Sequence, residues 1–311
     1  DGKPLALIVV ERESPKSRHA AEVLRRYLER MSGARLEIQI DGEEADAPGL
    51  PVRLHVGHTS AARGHSVPSG FDASVRTNAF DGEGYLLKTL DEQTLLVAGN
   101  NDGPYRGTVF AAYALLEELG CRFYFPGAWG EIVPERKTVT MPEINRLRRP
   151  DFPVRNIWLS GWVRQTREER DRYREWEYKV GFSDRRIYPF GGDGMLGCLL
   201  PPDDFFETHP EYYAMGRDGQ RHVGRSPLHT MLCLSNEDMY RQVVENLRRA
   251  FAGEITLRGV REDGFGISPP DGKPYCFCED CRKRSQNFQY PRYGKIDQPM
   301  MSEEYYEFVA R

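Results

Sequence analysis

Residues 5–33 read LALIVVERESPKSRHAAEVLRRYLERMSG, and this stretch decides the fold class. Leu5 to Val10 is an unbroken apolar run of strand length. Ser14-Pro15 supplies an N-cap and a proline at the first helical position. Ala20, Ala21, Leu24, Tyr27, Leu28 and Met31 then fall on one helical face, and Gly33 closes the helix. A buried strand feeding an amphipathic helix opens an α/β fold.

Outward from this unit, Leu36 to Ile40 and Val52 to Val56 read as further strands, and residues 41–50 and 61–74 as loops. Tyr85 to Leu90 and Thr94 to Ala98 flank Asp91-Glu92-Gln93 as a hairpin. A helix from about Pro104 to Leu119 stops at Gly120, and Cys121 to Phe125 is a short strand. Residues 1–145 therefore make a small α+β domain. Residues 141–152, with two prolines and three arginines, read as a linker.

From Pro153 the pattern alternates. Val154 to Leu159 reads as a strand, and the capping box Thr166-Arg-Glu-Glu starts a helix through Tyr173, Trp176 and Val180. Arg186 to Phe190 is a second strand, followed by a long excursion from Gly191 to Met231. Leu232 to Leu234 resumes a strand. Asn236 caps an amphipathic helix bearing Tyr240, Val243, Val244, Leu247 and Phe251, with Gly253 at its end. Phe265 to Ser268 is the next strand. Ser302 opens a last helix that meets no C-cap before Arg311, so the chain reads as the front portion of something longer. Repeated strand–helix units predict a parallel sheet or barrel. A complete eightfold barrel takes roughly 250 residues, so residues 153–311 would hold the first part of a (β/α)8 TIM barrel, truncated.

Charge and hydropathy exclude whole classes of partner. The net charge of −4 leaves no basic field for nucleic acid or anionic lipid. No apolar run approaches the ~20 residues that span a bilayer. The 16 Tyr, 15 Phe and 4 Trp fill a core and also suit flat amphipathic ligands such as sugars. The chain opens at Asp1 without a leader, and the location expected is extracellular or periplasmic.

In an α/β barrel the chemistry sits where strands end and helices begin. Asp271, just past the Phe265 strand, ranks first: its carboxylate can accept a sugar hydroxyl or orient a reacting group, although Pro-Pro-Asp-Gly is also good turn chemistry. Glu262-Asp263 precedes that strand and falls at the opposite end. Trp158 and Trp162 flank the end of the first barrel strand, where an indole can stack on a sugar or pack in the core. Within the excursion, His209, Glu211 and Arg217 are groups that bind polyols. Cys276, Cys278 and Cys281 put three thiols within six residues, and Cys233 is the natural fourth ligand of a closed structural zinc site. A disulfide or free thiols are the competing readings. No cofactor is expected for catalysis, and no nucleophile elbow, P-loop or dinucleotide fingerprint stands in a suitable context.

These strings carry a family likeness. GCRFYFPGAWGEIVP (120–134), after the helix that begins in GNNDGPYRGTVFAAYALLEEL, resembles the small αβ domain that precedes the catalytic barrel in glycoside hydrolase families 20 and 67. HPEYYAMGRDGQR, LCLSNEDM and SPPDGKPYCFCEDC resemble the barrel termed domain of unknown function 4838, members of which founded glycoside hydrolase family 163, endo-β-N-acetylglucosaminidases. The resemblance implies a retaining glycosidase in which the substrate's own 2-acetamido oxygen attacks the anomeric carbon. One carboxylate orients that acetamide and a second acts as acid/base. It carries over onto Asp271, His209, Glu211, Arg217 and the four cysteines. Relatives often have Asn where Pro270 stands. A non-catalytic carbohydrate-binding protein and an α-glucuronidase-type enzyme are the alternatives.

Overall fold

In the computed structural model the apolar run becomes β1 (Ala6–Val10), and Ser14 caps α1 (Pro15–Ser32) by accepting the Ser17 amide. Gly33 ends α1 at φ 75°, returning its amide to Glu29. The described residues are 2–43, 50–71, 82–152, 155, 157, 166–182, 194–261, 264–271, 275–284 and 302–311. They fall into two compact units, Asp1–Tyr188 and Pro189–Arg311. The fold is α/β.

The first unit is built on a six-stranded sheet ordered β2-β1-β3-β5-β4-β8, from β2 (Glu37–Ile40), β3 (Val52–Val56), β4 (Tyr85–Asp91), β5 (Thr94–Gly99) and β8 (Asn145–Arg148). β2, β1, β3 and β5 run parallel, and β4 is antiparallel to both its neighbours. Strand parity sorts the side chains. Ile8, Val10, Leu54, Val56, Leu95 and Val97 pack against α1 and α2 (Gly107–Glu118), while Leu96 and Ala98 meet Ala62 and Val67 on the other face. Gly99 and Gly107 allow β5 and the start of α2 to touch: a Cβ on Gly99 would lie 2.4 Å from the Gly107 carbonyl carbon. The short ladder β6 (Arg122–Phe123) with β7 (Glu131–Ile132) follows.

Two expectations change here. The linker 141–152 contributes β8, which pairs with β4 at the sheet edge (Leu86 opposite Leu147), because exposed arginines are compatible with an edge strand. The helix begun by the Thr166 capping box, α3 (Arg167–Lys179), packs within the first unit rather than opening the second. Its Trp176 donates to the Phe123 carbonyl (3.1 Å), its Lys179 binds Glu131 (2.6 Å), and Arg106 lies 4.6 Å from the Tyr178 ring.

The second unit is held by irregular structure and helices. Its core joins Leu196, Leu199, Tyr213 and Leu232 to α5 (Glu237–Phe251) and to Phe308 of α7 (Ser302–Ala310). The excursion of the sequence reading is packed rather than loose, with tight turns at Met195–Cys198, Pro210–Tyr212 and Pro227–His229 and the single turn α4 (Pro202–Phe205). Asn246 of α5 donates to the Leu199 carbonyl inside it (2.9 Å).

Among the described residues, strand pairing in this unit is limited to single bridges, such as Tyr213 with Leu232, and one antiparallel ladder, β9 (Val260–Arg261) with β10 (Gly264–Phe265). The expected strand Leu232–Leu234 is reduced to that bridge, because the chain turns at once into the Asn236 cap of α5. The expected strand from Phe265 is reduced to β10, which pairs antiparallel with β9. The expected strands Val154–Leu159 (apart from Arg155 and Ile157) and Arg186–Phe190 lie outside the described residues, as do Glu262 and Asp263. No described helix is long and apolar enough to cross a membrane.

Candidate functional site

The densest chemistry in the second unit is assembled by three chain segments. The first, Tyr213 to Met215, is pinned to the second at Leu232 and Cys233: the Ala214 amide donates to Met231 (2.9 Å) and the Cys233 amide to Tyr212 (2.8 Å). The third, from Cys276, docks on the first through the Phe277 amide and the Met215 carbonyl (2.9 Å). It then turns into α6 (Glu279–Arg284), whose first turn carries Cys281.

This arrangement brings Cys233, Cys276, Cys278 and Cys281 together, all four buried, with their sulfurs within 4.8 Å of one another. Cys233 Sγ lies 3.6 Å from Cys276, 3.7 Å from Cys278 and 3.8 Å from Cys281. These spacings exceed the ~2.05 Å of a disulfide, and all six cysteines of the chain are free.

Polar groups converge on the sulfurs. The Met215 amide points at Cys276 Sγ (3.3 Å), and Arg221 Nη1 donates to the same sulfur (3.5 Å) and to the Tyr213 carbonyl (2.8 Å). Ser235 Oγ stands 3.1 Å from Cys281 and 3.4 Å from Cys233. Within the quartet, hydrogen bonds from Cys276 and Cys281 hold the Cys233 thiol below its ordinary value. The hydrogen bond to Cys233 pushes Cys276 up to about 12 and raises Cys281 in the same way. Sequence reasoning found the four thiols but missed Arg221 and Ser235. The available signal was Ser235 two residues beyond Cys233, with Arg221 at the end of the HPEYYAMGRDGQR string.

Asp271 is exposed in a turn. The segment before it is anchored: Ser268 and Pro269 carbonyls accept the Leu196 (3.0 Å) and Gly194 (3.1 Å) amides, Tyr305 donates to Ile267 (3.0 Å), and Pro270 is buried. The turn thus follows anchored backbone, five residues before Cys276. His209 and Glu211 form an exposed pair (Nδ1 to Oε1, 3.0 Å), with the imidazole stacked on Tyr212 at 4.7 Å. Arg217 lies over the Phe277 ring at 5.0 Å, and Arg282 lies 5.6 Å from the same ring. None of the described hydrogen bonds joins Asp271 to His209, Glu211 or Arg217. Trp158 and Trp162 lie outside the described residues.

Ser226 and His229 imitate a catalytic pair (2.8 Å), but Arg225 donates to His229 Nε2 at 3.0 Å. A guanidinium on the ring sets this trio apart from a catalytic triad, in which a carboxylate orients the histidine.

Residues 125–304, over half of the chain, match the family described as Domain of unknown function (DUF4838). The chain belongs to the DUF4838 family. A search of curated proteins finds no match. The DUF4838 segment contains the cysteine quartet, its polar surroundings, Asp271, and the His209–Glu211 pair. It also begins inside the first unit, at Phe125, and takes in Glu131 and α3.

Proposed function

We propose that this DUF4838 protein acts on glycans containing N-acetylglucosamine, as a retaining, substrate-assisted glycoside hydrolase. In this reading residues 1–145 correspond to the domain that precedes the barrel in glycoside hydrolase families 20 and 67. Residues 153–311 correspond to the first part of a (β/α)8 barrel, working outside the cell or in the periplasm. The observation that supports it best is the setting of Asp271: an exposed carboxylate on a turn whose preceding backbone is tied down on both sides. A fixed carboxylate at such a turn can accept the N–H of a 2-acetamido group. It thereby aims the amide oxygen at the anomeric carbon, which is the demand of the substrate-assisted route. His209, Glu211 and Arg217 serve the sugar hydroxyls, with Trp158 and Trp162 as stacking platforms. The acid/base is a second carboxylate outside this set.

The test is turnover of chromogenic β-N-acetylglucosaminides and of complex N-glycans. An Asp271→Asn variant keeps the shape and removes the charge, and it is expected to lower kcat by at least ~10²-fold with KM nearly unchanged. Affinity for these glycans without hydrolysis would leave a carbohydrate-binding protein. Preference for a uronate-bearing substrate would favour an α-glucuronidase type. Inertness toward every glycan offered overturns the proposal.

A further inference from the structure

The quartet supports an inference that does not depend on glycan cleavage. We propose that Cys233, Cys276, Cys278 and Cys281 hold a single zinc ion as a closed tetrathiolate, and that Arg221 and Ser235 are its positioning residues.

Shape is the first argument. A tetrahedron with metal–sulfur bonds of about 2.3 Å has sulfur–sulfur edges of about 3.8 Å. The three edges at Cys233 measure 3.6, 3.7 and 3.8 Å. Thiols gathered merely as small apolar side chains have no reason to adopt equal edges.

Charge is the second. One zinc ion and four thiolates carry a net charge of −2, and a buried anion requires donors and cations around it. The Met215 amide, the Ser235 hydroxyl and the Arg221 guanidinium reach the sulfurs directly. Arg217 and Arg282 flank Phe277 in the middle of the knuckle. Two disulfides in the same place would be neutral and would give the Arg221 contact to Cys276 no purpose.

Closure is the third. Four protein sulfurs complete the tetrahedron and all four residues are buried, so no position remains for water or substrate. Such a centre is structural rather than catalytic. It joins the Cys233 segment to the Cys276–Cys281 segment, which meet few regular hydrogen bonds. Loading is balanced as one Zn²⁺ plus four thiols giving the tetrathiolate plus four protons, so affinity falls as pH falls.

The test uses the full chain, purified without added metal. Elemental analysis is expected to find about one zinc per chain, retained on dialysis and released by a mercurial that titrates thiols. Exchange with Co²⁺ should produce sulfur-to-cobalt charge-transfer absorption and tetrahedral d–d bands. Arg221→Met is expected to weaken zinc about 10–100-fold in chelator competition, and Ser235→Ala to weaken it by less. A cobalt spectrum from the folded variants distinguishes a loosened centre from a lost fold. Substoichiometric metal with four freely reactive thiols, disulfides among these cysteines, or iron in place of zinc would each overturn the proposal.

Discussion

Glu131 is the residue on which the first unit's packing converges. Its carboxylate, 7% exposed, accepts from Tyr27 (2.9 Å), Arg30 (2.7 Å) and Lys179 (2.6 Å), and the Lys179 side chain is 5% exposed. Burial opposes its charge, but the hydrogen bonds from Lys179 and Arg30 outweigh burial and hold the carboxyl below its ordinary range. Removing one member of a buried ion cluster strands the others. Glu131→Gln is therefore expected to cost about 3–5 kcal/mol, read as a lower midpoint in urea with an unchanged slope. The sign with pH follows from the depressed folded value. The stabilisation is complete above the ordinary carboxylate pKa and is lost as pH falls through the lower one. Wild type should lose more stability than Glu131→Gln between about pH 6 and about pH 3, which thermal melts across that range will measure.

At the scale of elements, local chemistry was legible and distant pairing was not. Ser14, Thr166 and Asn236 announce α1, α3 and α5, because a cap is read from neighbours three residues away. In α3, the Thr166 hydroxyl accepts the Glu169 amide (3.2 Å) while the Glu169 carboxylate accepts the Thr166 amide (2.7 Å). Thr166→Ala is expected to remove about 1 kcal/mol, seen as faster amide exchange in the first turn of α3 with the sheet unaffected. β8 was hidden because its partner β4 is more than fifty residues earlier, and its arginines suit solvent and the Arg146–Glu118 ion pair rather than a core. The irregular core around Tyr213 was equally hidden, since its order comes from single bridges and side-chain bonds rather than from a repeating pattern. The cysteines were visible as a cluster from spacing, but the place of Arg221 beside Cys276 depends on the hairpin-like return between Met215 and Arg221.

At the scale of the molecule, the two units are stabilised by different means. The first has a six-stranded sheet with a layered apolar core, the second a smaller core threaded by cysteines and turns. On the zinc proposal, a strong chelator is expected to loosen the second unit selectively. Hydrogen exchange should show lost protection at Tyr213–Met215, Leu232–Asn236 and α5, with residues 6–10 and 94–99 unchanged. Equal loss across both units would show that the quartet is not a local stabiliser.

The quartet also imposes an order on biosynthesis. A nascent chain that has released Arg148 already possesses every strand of the large sheet. Cys233 emerges while its three companions are still unmade, and the cluster cannot assemble until Cys281 clears the ribosome. For those intervening codons, one unit can be finished while the other is an open thiol waiting for partners.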